Sequence, residues 1–70
     1  MQALSQTKTG EICTIKWMFG APEVLNFLHR HQIREGSTIR VIQNRVGNLI
    51  IGMGSERIVI DCDAAQMIKV

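Results

Sequence analysis

Aromatic side chains are nearly missing from this 70-residue sequence, which has no tyrosine, one tryptophan and two phenylalanines. A polyproline-binding groove and a base-stacking face both depend on several aromatic rings. Trp17, Phe19 and Phe27 are too few for either. Charge of one sign is also scarce: eight Lys and Arg stand against six Asp and Glu, for a net charge of +2. The basic residues are scattered rather than gathered into the patch that marks nucleic-acid binding, so no nucleic-acid partner is expected. No apolar run approaches the roughly 20 residues needed to span a bilayer. Met1 to Gln6 lacks the basic and apolar regions of a signal peptide, and a cytoplasmic location is the expectation.

Cysteine occurs twice, as Cys13 and Cys62. Two distant cysteines make no disulfide framework, and in the cytosol they are expected to be reduced. Catalytic patterns are missing as well. No serine or cysteine has a local base, and Gly52-Met53-Gly54 lacks the lysine and following helix of a phosphate loop. No catalytic residue is identified, and the chain is expected not to be an enzyme.

What is present is a globular β pattern. Apolar residues make up 46% of the chain, with isoleucine and valine prominent, which favours strands over disorder. The length allows one domain, residues 1–70, with a thin core. Leu4 is expected to plug one end of that core, before a turn at Thr9-Gly10. Glu11 to Trp17 reads as the first strand, with Cys13, Ile15 and Trp17 on the inward face. Ile12 on the other face suggests a strand start that is covered on both sides.

The stretch from Pro22 to Ile42 organises the rest. Val24, Leu25, Phe27 and Leu28 recur at helical spacing, with Ile33 beyond the end of the stripe. Pro22 suits the first helical turn and Glu23 complements the helix dipole there. The helix is expected from Pro22 to about His31, packed on the sheet, with Gln32 at the terminating position in place of the usual glycine. A turn at Arg34-Glu35-Gly36-Ser37 leads into a second strand, Thr38 to Asn44. Val46-Gly47-Asn48 reads as a hairpin connection, then Leu49 to Met53 as a third strand in which Gly52 marks a bulge or bend. The fourth strand is Glu56 to Cys62. Asp63-Ala64-Ala65-Gln66 has the form of a capping box, so a short helical turn is expected near Asp63, before Ile68-Lys69-Val70 closes the chain as a last strand. About five short strands with one inserted helix form a mainly β fold. Closure into a small barrel would remove its exposed edges.

Two clusters contain metal-ligand residue types, and their spacing is wrong for a site. His29 and His31 lie about 200° apart around a helix, where i, i+3 or i, i+4 spacing would be needed. In Asp61-Cys62-Asp63, strand alternation sends the thiol away from both carboxylates. Cys62 is expected in the core and Asp63 as a helix cap. Trp17-Met18-Phe19 is the apolar cluster with functional promise. Met18 and Phe19 either fold over the barrel end as a plug or stand exposed as a partner-binding surface that Met53 extends.

Leu4 with Gly10-Glu11, Leu28, Ile33, then Gly36-Ser37-Thr38-Ile39-Arg40-Val41-Ile42, and finally Ala65, Ile68 and Val70 together carry a family pattern. In this order the chain resembles the FeoA family, small SH3-like proteins of bacterial ferrous iron transport. The same module forms the C-terminal domain of some iron-dependent repressors. Two positions depart from the pattern: His31-Gln32-Ile33 replaces the family's Leu-Gly-Leu helix end, and Glu35 stands where proline is common. The resemblance implies an SH3-like barrel with no catalysis of its own. It implies a cytosolic accessory protein that docks on the cytosolic part of the membrane iron-transport GTPase, recruited to the inner face of the membrane. No cofactor is expected, and transition-metal binding enters only by analogy with the family. The alternatives are a generic SH3-like protein- or nucleic-acid-binding barrel and a stand-alone relative of the repressor domain.

Overall fold

The stretch that reads as one first strand is divided in two, and the break sets the architecture. In the computed structural model, which describes residues 1–70, β1 (Ile12–Thr14) is followed after two residues by β2 (Trp17–Met18). Up to Ile15 the chain pairs with the segment entering β3 (Thr38–Arg45). The Ile15 N–H donates to the Ser37 carbonyl at 2.9 Å, and the Ile15 carbonyl accepts from the Gly36 N–H at 2.8 Å. From Lys16 onward it pairs with β6 (Ile68–Lys69), the Lys16 N–H donating to the Lys69 carbonyl at 2.8 Å. A strand that changes sheets in this way turns the corner of a small barrel.

The larger sheet has the order β1-β3-β4-β5 and is antiparallel throughout, with β4 at Asn48–Met53 and β5 at Glu56–Asp61. β2 and β6 form a second antiparallel pair. The lead-in closes against the end of the chain: Gln2 and Val70 exchange both backbone hydrogen bonds, and Leu4, in a 3₁₀ turn, is fully buried as expected. Asn44 Nδ2 on β3 donates to the Ser5 and Thr7 carbonyls, which pins that lead-in to the sheet.

The break also resets the alternation of faces, because a slip of one residue turns every later side chain over. Cys13 and Ile15 face the core, but Trp17 turns outward and is 49% exposed, while Met18 packs inward against the core. The inward expectation for Trp17 is therefore corrected. Ile12 is 62% exposed rather than covered on both sides, because no element lies over that face of β1.

β3 carries a bulge. Val41 pairs with Ile51 and Gln43 with Ile50, so Ile42 is the extra residue. Its side chain lies over Gly52, where an added Cβ would come within 2.8 Å of Ile42 Cδ1. Gly52 thus accommodates a bulge on the neighbouring strand rather than forming one itself. The β3–β4 turn is tighter than the three residues expected, since Arg45 pairs with Asn48 and only Val46-Gly47 intervenes.

Helix α1 (Pro22–Arg30) starts at proline and carries Glu23 in its first turn, as expected. It ends in a Schellman arrangement: the Ile33 N–H donates to the Leu28 carbonyl and the Gln32 N–H to the His29 carbonyl, both at 2.9 Å. Gln32 takes the left-handed position with φ 63°. Leu28 and Ile33, the two residues whose side chains meet in such a cap, both belong to the core. Only Leu28 of α1 is buried, so the helix flanks the sheet more than it covers it. Val24 and Phe27 face Val59 and Ile60 across a shallow groove, and His31 Nδ1 lies 2.8 Å from Glu56 Oε2. The helix therefore meets β5 only at these few positions.

Helix α2 spans Cys62–Gln66, and its cap differs from expectation. Asp61, not Asp63, accepts the Ala64 N–H at 2.7 Å. The Cys62 N–H still donates to the Gly47 carbonyl at 3.0 Å, in register with the Asn48–Asp61 pair, and the chain turns into α2 directly after Asp61. Cys62 consequently opens the helix, half-buried, rather than completing the inward face of β5.

Candidate interaction surface

The core is a cluster of 13 residues and contains no aromatic ring. Apart from Cys13 it is aliphatic, built from Leu4, Ile15, Leu28, Ile39, Val41, Ile51 and their neighbours. The protein's three aromatic residues all lie outside, with Trp17 49%, Phe19 48% and Phe27 37% exposed. Large rings carry the greatest burial energy available to a small domain. A 70-residue chain that leaves all of them at the surface gives up stability that it could otherwise have used.

Trp17 and Phe19 share one face because they are two residues apart on an extended segment. Their rings stack with centroids 6.5 Å apart and planes 9° from parallel. The backbone beneath them is held to the last strand region, the Phe19 N–H donating to the Met67 carbonyl at 2.9 Å. Met1, Gln2 and Lys69 complete a shallow groove beside the two rings. Only Lys69 brings a formal side-chain charge, and its Nζ donates to the Gln66 carbonyl at 3.0 Å.

The three residues expected at a partner surface, Met18, Phe19 and Met53, occupy three different settings. Phe19 lies in the aromatic groove. Met18 packs against the core and borders a hollow shared with Leu25, His29 and Arg34. Met53 also packs against the core, and it lines a separate groove with Ile12, Arg40 and Arg57. Sequence patterning missed Trp17, which the two-residue periodicity had turned inward.

The residues with ligand chemistry do not converge. No three of the His, Cys, Asp and Glu side chains come together. His31 and Glu56 are the one imidazole–carboxylate contact, half exposed, with the Phe27 ring edge-on to the imidazole at 4.8 Å. Both cysteines are free. Burial, and next the charge of the Glu11 carboxylate and a hydrogen bond to it, push the Cys13 thiol up from its ordinary value of 9.0. No helix is long and apolar enough to cross a membrane.

Comparison with known proteins bears on what this barrel is. Among curated proteins none matches the chain. Among solved structures it is similar to an iron uptake regulatory protein, FeoA, with a TM-score of 0.83 at 24% identity over 94% of this chain and 89% of that one. It is also similar to a manganese-dependent transcriptional repressor, with a TM-score of 0.86 at 23% identity over 96% of this chain. There it spans only 39% of the repressor's length. At these identities the likeness is one of fold, the small SH3-like barrel. The family model for the FeoA domain, however, matches residues 2–70, nearly the whole sequence, and the chain belongs to the FeoA domain family.

Proposed function

We propose that the protein is a non-enzymatic accessory module of ferrous iron transport. In this reading it works in the cytoplasm and docks through Trp17 and Phe19 on the cytosolic part of the membrane iron-transport GTPase. Family membership supports the role in iron transport. The observation that carries the docking reading is the exposed, stacked Trp17–Phe19 pair above an all-aliphatic core. Rigid aromatic side chains on a held backbone are the usual anchors of protein interfaces. Met18 supports the pair from below. Met53 takes no part, because it lines a different groove. Ferrous iron is the cargo of the partner in this reading, since the lone His31–Glu56 contact offers too few donors for an iron centre.

The test is a chemical-shift titration of the labelled protein with the transporter's cytosolic GTPase domain. Shifts should concentrate at Trp17, Met18, Phe19 and Met67, and Trp17→Ala or Phe19→Ala should weaken binding by about tenfold or more. Absence of binding, or binding unaffected by both substitutions, would overturn the docking reading.

A further inference from the structure

The outer face of the four-stranded sheet, well away from the aromatic groove in register, has a composition of its own. Ile12 pairs with Arg40, Arg40 with Gly52, and Gly52 with Arg57, so these four residues form one row across all four strands. The next row runs Gln43, Ile50, Val59, with the bulged Ile42 beside it. The third is Arg45, Asn48, Asp61. The face thus presents four aliphatic side chains, with Ile12 62% and Val59 59% exposed.

Three arginines frame these aliphatic residues. Arg40 and Arg57 stand on either side of Gly52, about 10 Å apart at two strand spacings. Neither they nor Arg45 forms an ion pair, since the one contact of that kind joins His31 to Glu56. Glu56 and Asp61 are the only acids on the four strands. The first lies against His31, and the second caps α2 and keeps its charge in the third row with Arg45, away from Arg40 and Arg57. The face therefore combines exposed aliphatic area with unneutralised guanidinium groups.

We propose that this face is a second docking site, whose occupant is an acidic amphipathic helix of a partner protein. Its apolar stripe would lie over Ile12, Ile42, Ile50 and Val59, and its flanking carboxylates would meet Arg40 and Arg57. A helix laid on a sheet buries one stripe against one face, which suits a surface with little depth. Arginine forks take carboxylates in paired hydrogen bonds. The other occupants fit less well. A second copy related by two-fold symmetry would set the same three arginines against themselves. An added strand would pair with the backbone of an edge strand and leave this face uncovered. A single-stranded nucleic acid would find no ring on this face for its bases.

The probe is a synthetic helical peptide with leucines on one face and glutamates flanking them, titrated into the labelled protein. A companion peptide carries lysine in place of glutamate. The acidic peptide should shift Ile12, Arg40, Ile42, Ile50, Arg57 and Val59, and the lysine peptide should not. Arg40→Glu with Arg57→Glu should weaken binding by about tenfold or more, and added salt should weaken it too. Both positions are exposed, and the dispersed spectrum of the double variant reports its folding. Trp17→Ala should leave this binding unchanged, so the site stands or falls separately from the aromatic groove. Equal binding of the two peptides would overturn the proposal. So would shifts confined to Trp17 and Phe19, self-association through this face, or preference for an oligonucleotide.

Discussion

Cys13 and Cys62 begin alike in the sequence, each flanked by strand-forming residues, and end in different chemistry. Cys13 faces the core from β1, two residues from Glu11 on the same side of the strand. Its thiol is pushed up first by burial and then by that carboxylate. Cys62 sits half-buried at the start of α2, where no strand partner covers it. The linkage has a definite sign. Above about pH 9 an unfolded Cys13 sheds its proton while the folded protein still holds it, so folding becomes less favourable as pH rises. The stability associated with this thiol is intact below that value and is lost as pH climbs toward the raised one. Urea midpoints should accordingly fall as the pH rises above about 9, and the fall should be shallower in Cys13→Ala. Parallel slopes in the two proteins would show that the thiol plays no part.

Among the elements, α1 was the most legible. Pro22 and Glu23 give its start, the stripe is buried only at Leu28, and Gln32 takes the left-handed terminating position that the absent glycine leaves to it. That conformation strains any side chain with a Cβ. Gln32→Gly should therefore raise the unfolding free energy by about 0.5–1 kcal/mol, the relief exceeding the added freedom of the unfolded chain. An unchanged or lower urea midpoint would mean that the Schellman hydrogen bonds already offset the strain. The first strand was legible only in part. A period of two reveals which side chains alternate, but it carries no record of where a strand changes partner, so the break at Ile15-Lys16 and the turning-out of Trp17 stayed hidden. The cap of α2 was misplaced by two residues. The capping-box pattern pointed to Asp63, whereas the helix begins at Cys62 and the Asp61 carboxylate accepts the Ala64 N–H.

For the molecule as a whole, the partition of side chains follows from size. A 70-residue barrel has room for one thin aliphatic core, and interlocking β-branched residues fill it without rings. That left two surfaces of opposite kind, an aromatic groove at the β2–β6 pair and an arginine-framed face on the larger sheet. The barrel pattern could be read from residue order. Of the two surfaces only the Trp17-Met18-Phe19 cluster stood out, since the rest of each depends on register between segments far apart in the chain. Val59 and Ile12, for example, become part of one face only once β3 and β4 lie between them.

The change of partners at Ile15-Lys16 also gives the two surfaces unequal lifetimes. β3, β4 and β5 are joined by tight turns and pair locally, whereas β2 and β6 meet across some fifty residues of chain and hold by two-residue strands. Opening at that seam would release the Lys16 and Phe19 amides and disperse the aromatic groove, with the larger sheet and its arginines still in place. In native-state hydrogen exchange those two amides should open at a lower free energy than Val41 or Ile51; equal values would mean that the barrel opens only as a whole. A partner that grips Trp17 and Phe19 would then do more than occupy a surface. It would act as a clasp on the barrel, and its presence would be felt as slowed exchange throughout the β2–β6 pair.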